Sequence, residues 1–269
     1  MAELGGKVAI VTGAGRMRGM GRATAIALAR AGADVVVTGT GREQSSLPPD
    51  EQQAGWRDVD SVAEEIQAIG RRALPLRLDV TSGVDVDRLV ERTVSELGRI
   101  DVLVNVAAYP KADDRQPAVT LPEATWRKVI EVDLTGTFLC SRAVARQLIS
   151  QGDGGRIVNF SSLAGKRAKG NMSAYAAAKF GVIGLTQALA LELGPHGINV
   201  NCVCPGSVDT SRQTSGEHDA WEREAKASAA LGRIGLVDEI AAVVVFLCSP
   251  GSAFVSGQSI NVDGGDTPY

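Results

Sequence analysis

Histidine is nearly absent from this chain: of 269 residues, only His196 and His218 are histidines. That scarcity argues against a Ser-His-Asp hydrolase and against a zinc site built on imidazole. Cysteine is sparse too, at Cys140, Cys202, Cys204 and Cys248. Cys202 and Cys204 lie two apart in a predicted strand and so share a face, but no further ligands stand at zinc spacing. They read as reduced core thiols, and no metal is expected. No basic block occurs and the formal net charge is -3, which disfavours a nucleic-acid or polyanion partner. The longest apolar run, residues 240–248, is far short of the roughly 20 residues that span a bilayer, so no membrane partner is expected. The N-terminus lacks a basic n-region and runs directly into a strand, so the expectation is no signal peptide and a cytoplasmic location.

What is present is alternation. Apolar, β-rich runs fall at residues 8–12, 34–38, 73–78, 101–104, 156–160 and 198–203, with a short one at 259–262. Helical patterns fall between them, at 21–31, 61–69, 85–97, 123–150, 173–193 and 238–247. Near-continuous apolar strands alternating with helices predict a doubly wound α/β fold, a parallel sheet with helices on both faces. No repeat or linker divides the chain, so residues 1–269 read as one domain. Two stretches break the pattern. Residues 41–60 hold Pro48, Pro49 and many polar side chains, and read as a surface loop insertion. Residues 207–235 are polar, carry Trp221 in a short helical stretch, and follow a strand's carboxyl end, where open α/β sheets bind ligands. They read as a substrate lid.

Residues 11–21 (VTGAGRMRGMG) join the first strand to the first helix. Gly13, Gly15, Gly19 and Gly21 let the backbone turn sharply and approach a ligand. The helix that follows Met20, read at 21–31, aims its N–H groups and positive dipole end at an anion. In that position the leading ligand is a dinucleotide pyrophosphate. The second strand ends VTGTGR, with no acid at Gly39 or Thr40 to bind an adenosine ribose, whereas Arg16, Arg18 and Arg42 offer forks suited to a phosphate. These arginines point to NADP. NAD is the alternative, with Glu43 available to a ribose. Asp79, beside Val80 at the end of the third strand, is placed to accept from an adenine amino group or to cap a helix. Asn105 ends the fourth strand, where it would brace the sheet's centre, and the small Ala107 and Ala108 leave room for a cofactor.

The chemistry concentrates in Ser162, Tyr175 and Lys179. Tyr175 and Lys179 are four apart in a helical run (residues 173–180, SAYAAAKF), which puts phenol and ammonium on one face. A phenol titrates near pH 10, so roughly one in a thousand is ionised at neutral pH. A fixed cation favours the phenolate, and a tyrosine so placed can exchange a proton with an alcohol or ketone oxygen. Ser162, ending an apolar strand, is positioned to hydrogen-bond the same oxygen.

Taken together, the glycine loop, Asp79, Asn105, Ser162, Tyr175, Lys179 and the segment 204–210 (CPGSVDT) resemble the short-chain dehydrogenase/reductase family, in its compact single-domain branch, over essentially the whole chain. The resemblance implies a Rossmann fold with a seven-stranded parallel sheet. It also implies hydride transfer between a nicotinamide cofactor and a carbonyl or secondary alcohol. It makes Tyr175 the general acid/base, has Lys179 hold the nicotinamide ribose, and has Ser162 orient the substrate oxygen. Pro205 and Gly206 would wall the nicotinamide, with Val208 and Thr210 near its carboxamide. A homotetramer or homodimer is implied as well. Two features depart from the family. Five residues, 14–18, separate Gly13 from Gly19 where three are usual, so the loop must bulge. Asp133, in EVDLTG (131–136), stands where the family commonly carries a catalytic asparagine, and an ionised Asp cannot donate a hydrogen bond.

Two rival functions stay open on sequence: a cofactor-retaining epimerase or dehydratase, and a nucleotide-sensing regulator without catalysis. The expected substrate wall, Tyr109, Leu163, Ala164, Met172 and residues near Trp221, is mostly apolar. Lys111, Arg115, Lys166, Arg167 and Lys169 offer positive charge to an anionic substrate, or are solvated surface. A 3-oxoacyl thioester, a sugar, a steroid-like ring and a small cyclic alcohol all fit that description.

Overall fold

The computed structural model describes residues 3–110, 113–210 and 218–268. Its seven parallel strands are β1 (Val8–Thr12), β2 (Asp34–Gly39), β3 (Ala73–Arg77), β4 (Val102–Asn105), β5 (Gly155–Phe160), β6 (Ile198–Pro205) and β7 (Ser259–Val262). They lie in the order β3-β2-β1-β4-β5-β6-β7. The chain starts mid-sheet, runs out to β3, then returns to lay β4 on the other side of β1. A crevice opens at that reversal, at the carboxyl ends of the strands.

The central strands β1, β2 and β4 are mostly apolar and almost entirely buried because both faces are covered. Ala9, Val11, Val35 and Val37 pack under α1 (Met20–Arg30), α3 (Val59–Ala68) and α9 (Val237–Cys248). The alternate residues Ile10, Val36, Leu103 and Ile157 pack under α4 (Gly83–Leu97), α6 (Gly136–Gln151) and α7 (Ser173–Leu193). Helix 173–196 is long and apolar enough to cross a bilayer. In this fold Ala178, Val182, Thr186 and Leu189 of α7 form its buried stripe.

A polar thread crosses the sheet's centre. Asn105 Nδ2 donates to Ser141 Oγ at 3.0 Å and to Asn159 Oδ1 at 2.9 Å, and Asn159 Nδ2 donates to Thr186 Oγ1 at 3.0 Å. All four side chains are buried. They fix α6 and α7 against β4 and β5, which sets the register of the helix carrying Tyr175 and Lys179.

Two stretches differ from the sequence reading. Residues 123–150 are not one helix: α5 (Glu123–Ile130) passes through a π turn (Glu131–Thr135) into α6. The wider turn holds one residue more than an α turn, a device common at functional sites. Residues 41–60 are not a surface loop. They form a 3-10 turn (Gln44–Ser46) and α2 (Pro49–Gln53), and α3 begins at Val59. Leu47, Glu51, Trp56 and Asp58 are buried. The expected lid includes residues 211–217, which lie outside the described residues. Around them, Val208 pairs with Gly235 in an isolated bridge, and α8 spans His218–Ser228.

Candidate active site

The expected trio, Ser162, Tyr175 and Lys179, lies where β5 ends and α7 begins. Ser162 follows β5, and its Oγ accepts from the Ala164 amide at 3.2 Å. Ser161 Oγ donates to the Lys179 carbonyl at 2.8 Å. Gly165 packs so closely there that a Cβ would lie 2.7 Å from the same carbonyl oxygen. Ser162 is thereby held beside the first turns of α7. Lys179 is almost fully buried, its Nζ 5.5 Å from the Tyr175 ring centroid and donating to the Phe160 carbonyl at 3.2 Å. On sequence Lys179 is a spacing argument; in the fold it is a buried cation beside the phenol.

Asp133 completes the constellation. The π turn places it fully buried, with Oδ2 3.1 Å from Lys179 Nζ and Oδ1 accepting from the Tyr109 amide at 2.5 Å. The acid at position 133 therefore gives Lys179 a counter-charge by direct contact. Arg115, expected as a substrate contact or solvated surface, is partly buried against the phenol. Its guanidinium lies 4.1 Å from the Tyr175 ring centroid and pairs with the buried Asp114 at 3.0 Å. Lys166 bonds Ser259, Arg167 pairs with Asp266, and Lys169 pairs with Glu224. Lys111 lies outside the described residues. Tyr109 donates to Asp113, and burial together with that carboxylate pushes its phenol above the usual range.

The nucleotide crevice fits a dinucleotide. Gly13 has φ +68°, and a Cβ there would lie 2.7 Å from Ala107 Cα; one at Gly21 would lie 2.4 Å from the Gly13 carbonyl oxygen. Thr12 Oγ1 accepts from the amides of Val106 and Ala107, locking the β4 exit against the loop. Gly19 caps α1 with no side chain, and no acid stands in the first turn beginning at Met20. An uncapped N-terminus at the switch point suits a pyrophosphate. At the sheet's far side Gly206 is pressed against Asp263, where a Cβ would lie 2.8 Å from its Cα, and Val208 and Thr210 are buried beyond Pro205.

Several of the expected cofactor contacts are engaged within the fold itself. Asn105 spends its amide on the polar thread, so it braces the sheet and does not reach into the crevice with its Nδ2. Asp79 Oδ1 accepts from the Thr81 amide and hydroxyl, which hold its carboxyl below the usual range, while Ser82 caps α4. Arg42 is not an open fork for a phosphate. Nη1 donates to Glu51 at 3.1 Å, Nη2 donates to the Gly15 carbonyl at 3.0 Å, and its own amide donates to Asp58 Oδ2 at 2.9 Å. Arg18 pairs with Asp50 at 3.2 Å and lies 4.0 Å from Asp209, and Arg16 packs under Gly19. Val80 does not stand free either: Gly136 packs so tightly on it that a Cβ would lie 2.7 Å from Val80 Cγ2.

Sequence reasoning missed Glu51, Trp56 and Asp58. Glu51 Oε1 accepts from the Met17 amide at 2.9 Å, at the crest of the bulged glycine loop, and Trp56 Nε1 donates to the Gly15 carbonyl at 2.7 Å. Asp58 adopts φ +52°, a strained backbone for a non-glycine residue. The one signal available was Trp56, a large aromatic inside a polar stretch. The four cysteines are buried and free. Cys202 and Cys204 share a hydrogen bond that pushes the Cys202 thiol up and the Cys204 thiol down. No metal-holding cluster occurs among the described residues.

Comparison with known proteins matches this arrangement. The profile described as enoyl-(acyl carrier protein) reductase covers residues 13–267. A short-chain dehydrogenase/reductase of Armillaria gallica is 39% identical over 266 residues, covering 97% of this chain and 95% of its own. The 3-oxoacyl-(acyl-carrier-protein) reductase of Synechocystis sp. is 38% identical over 266 residues, covering 98% of each. The crystal structure of carveol dehydrogenase from Mycobacterium avium in complex with NAD matches with a TM-score of 0.90 at 29% identity, over 100% of both chains.

Proposed function

The chain belongs to the short-chain dehydrogenase/reductase family and is a nicotinamide-dependent oxidoreductase of carbonyls and alcohols; on that premise we propose that Tyr175 is its acid/base, Lys179 and Asp133 its buried charge pair, and Ser162 its substrate-oxygen donor. The observation that carries this reading is the buried Lys179 ammonium 5.5 Å from the Tyr175 ring, at the sheet edge that the glycine loop also borders. The bound nicotinamide supplies or accepts the hydride. In reduction Tyr175 gives its hydroxyl proton to the substrate oxygen while the Ser162 hydroxyl donates to it as negative charge develops. In oxidation the tyrosinate removes the alcohol proton. Lys179 holds the nicotinamide ribose and supplies positive charge beside the phenol. Asp133 fixes Lys179 from behind.

The substrate is a carbonyl or secondary alcohol taken between Tyr175 and the Tyr109–Leu163–Met172 wall. The cofactor is NAD in preference to NADP. Arg42 and Arg18, on which the NADP reading rested, both carry carboxylate partners. NAD is also the cofactor of the carveol dehydrogenase complex. Oligomerisation through α7 is supported by its exposed stripe, with Phe180 47% and Leu191 81% accessible. Four unpaired thiols support a reducing, cytoplasmic setting.

The test is a panel of ketones and secondary alcohols assayed by nicotinamide absorbance with each cofactor. Turnover of cyclic or acyl-chain members with NAD(H) is the expected result. Failure of the protein to bind either reduced cofactor overturns the assignment, and turnover with NADPH alone overturns the choice of NAD.

A further inference from the structure

We propose that residues 43–58 are a cofactor-selectivity element. In it Glu51 and Asp58 replace the acid missing from the end of β2 and make the adenosine end of the crevice reject a 2′-phosphate. This rests on the reading that the glycine loop holds a nicotinamide dinucleotide.

The first observation is position. Dinucleotide folds read the adenosine ribose between the end of β2 and the glycine loop, with an acid for a 2′-hydroxyl or an arginine for a 2′-phosphate. The Asp58 carboxylate occupies that junction. Its Oδ1 lies 1.3 Å from where a Gly15 Cβ would be and 3.1 Å from where a Gly39 Cβ would be. Gly15 and Gly39 are thus the two positions whose missing side chains admit a carboxylate delivered from the inserted segment. Oδ1 is buried and makes no hydrogen bond.

The second observation is charge. Arg42 is the cation of the junction, and it is held between two carboxylates, with Glu51 3.1 Å from Nη1 and Asp58 Oδ1 3.6 Å from Nη2. Glu51 has no solvent exposure and Asp58 very little. A cavity of about 460 Å³ opens beside them. Its arginines, Arg42, Arg57 and Arg77, are matched by Glu43, Asp58 and Asp60. Behind this wall Arg57 is drawn outward to Glu64, and Glu51 adds a further negative charge behind Arg42. One more phosphate dianion meets a surplus of carboxylate. At this solvent-lined cavity a like-charge repulsion of this kind separates two ligands by about tenfold or more.

The third observation is that the device is rigid. Glu51 also holds the Met17 amide, and Trp56 and Arg42 both hold the Gly15 carbonyl. Arg42 therefore cannot swing to a phosphate without leaving Glu51 buried and unpaired.

Equilibrium binding of NADH and NADPH, read by nucleotide fluorescence and by calorimetry, tests this on the wild type, Glu51→Gln and Asp58→Asn, with a melting curve for each. The wild type is expected to bind NADH at least about tenfold tighter than NADPH. Raising the salt concentration narrows that gap, because the disfavoured ligand is repelled. Each folded variant narrows it at least about fivefold, chiefly by tighter NADPH binding. Equal or tighter NADPH binding by the wild type overturns the proposal, as does a gap that widens with salt, or folded variants whose ratio is unchanged. The wild-type salt series decides the matter if neither variant folds. Binding of neither nucleotide by the wild type instead overturns the reading of the loop as a dinucleotide site.

Discussion

Tyr175→Phe is expected to lower turnover roughly 10²–10⁴-fold in both directions, while NADH affinity stays within about threefold of the wild type. The substitution removes one hydroxyl and leaves the ring. Arg115 keeps its stacking partner at 4.1 Å, and the Lys179–Asp133 pair, 3.1 Å apart, is untouched. Only the proton route to the substrate oxygen is lost. Ser162 cannot replace it, because a hydroxyl without an adjacent cation stays protonated at neutral pH and donates without exchanging. Stopped-flow or steady-state turnover of the best ketone, set beside a fluorescence titration with NADH, separates chemistry from binding. Turnover within fivefold of the wild type sinks the assignment of Tyr175 as the acid/base.

Asp133→Ala is expected to destabilise the fold by about 3–5 kcal/mol, because it leaves a buried ammonium without its counter-charge. Lys179 is only 3% exposed at its side chain, and Asp133 is not exposed at all. The Tyr109 amide loses its acceptor in the same stroke. Asp133→Asn keeps an oxygen for that amide but not the charge, and is expected to fall between the wild type and Asp133→Ala. Replacing both partners separates stability from function. Asp133→Leu combined with Lys179→Met recovers most of the lost stability, since apolar pairs often match buried ion pairs, yet remains inactive. Urea unfolding gives the stabilities. An Asp133→Ala midpoint equivalent to less than about 1 kcal/mol of loss would show that the pair is solvated and not structural.

The strands, and the approach of Lys179 to the Tyr175 ring, were legible because their signals are local. The strands are short runs rich in apolar residues, and Tyr175 and Lys179 are about one helical turn apart on α7. What escaped depends on partners distant in sequence. Glu51 reads as one polar residue among many in a proline-bearing stretch, and its burial is decided by Arg42 and by an amide 34 residues away. Asn105 reads as a brace, but its partners Ser141 and Asn159 stand 36 and 54 residues away and cannot be read from its neighbours. The π turn leaves no composition signal, since it adds a residue to a turn without changing residue type. Asp133 itself, an acid between Val132 and Leu134, hinted at a buried partner. The arginines advertise charge by residue type, which says nothing of the carboxylates that pair with Arg18 and Arg42.

The swollen glycine loop and the stretch that buttresses it form a single structural unit. The Met17 amide meets Glu51, and the Gly15 carbonyl meets Trp56 and Arg42. A chimera that trims the loop to the three-residue spacing but keeps the buttress strands an acid in the interior. One that keeps the loop and deletes the buttress leaves its crest unsupported. Recombination between this enzyme and relatives of the shorter type is therefore productive only when the crossover carries both pieces, so the two traits should travel together through the lineage.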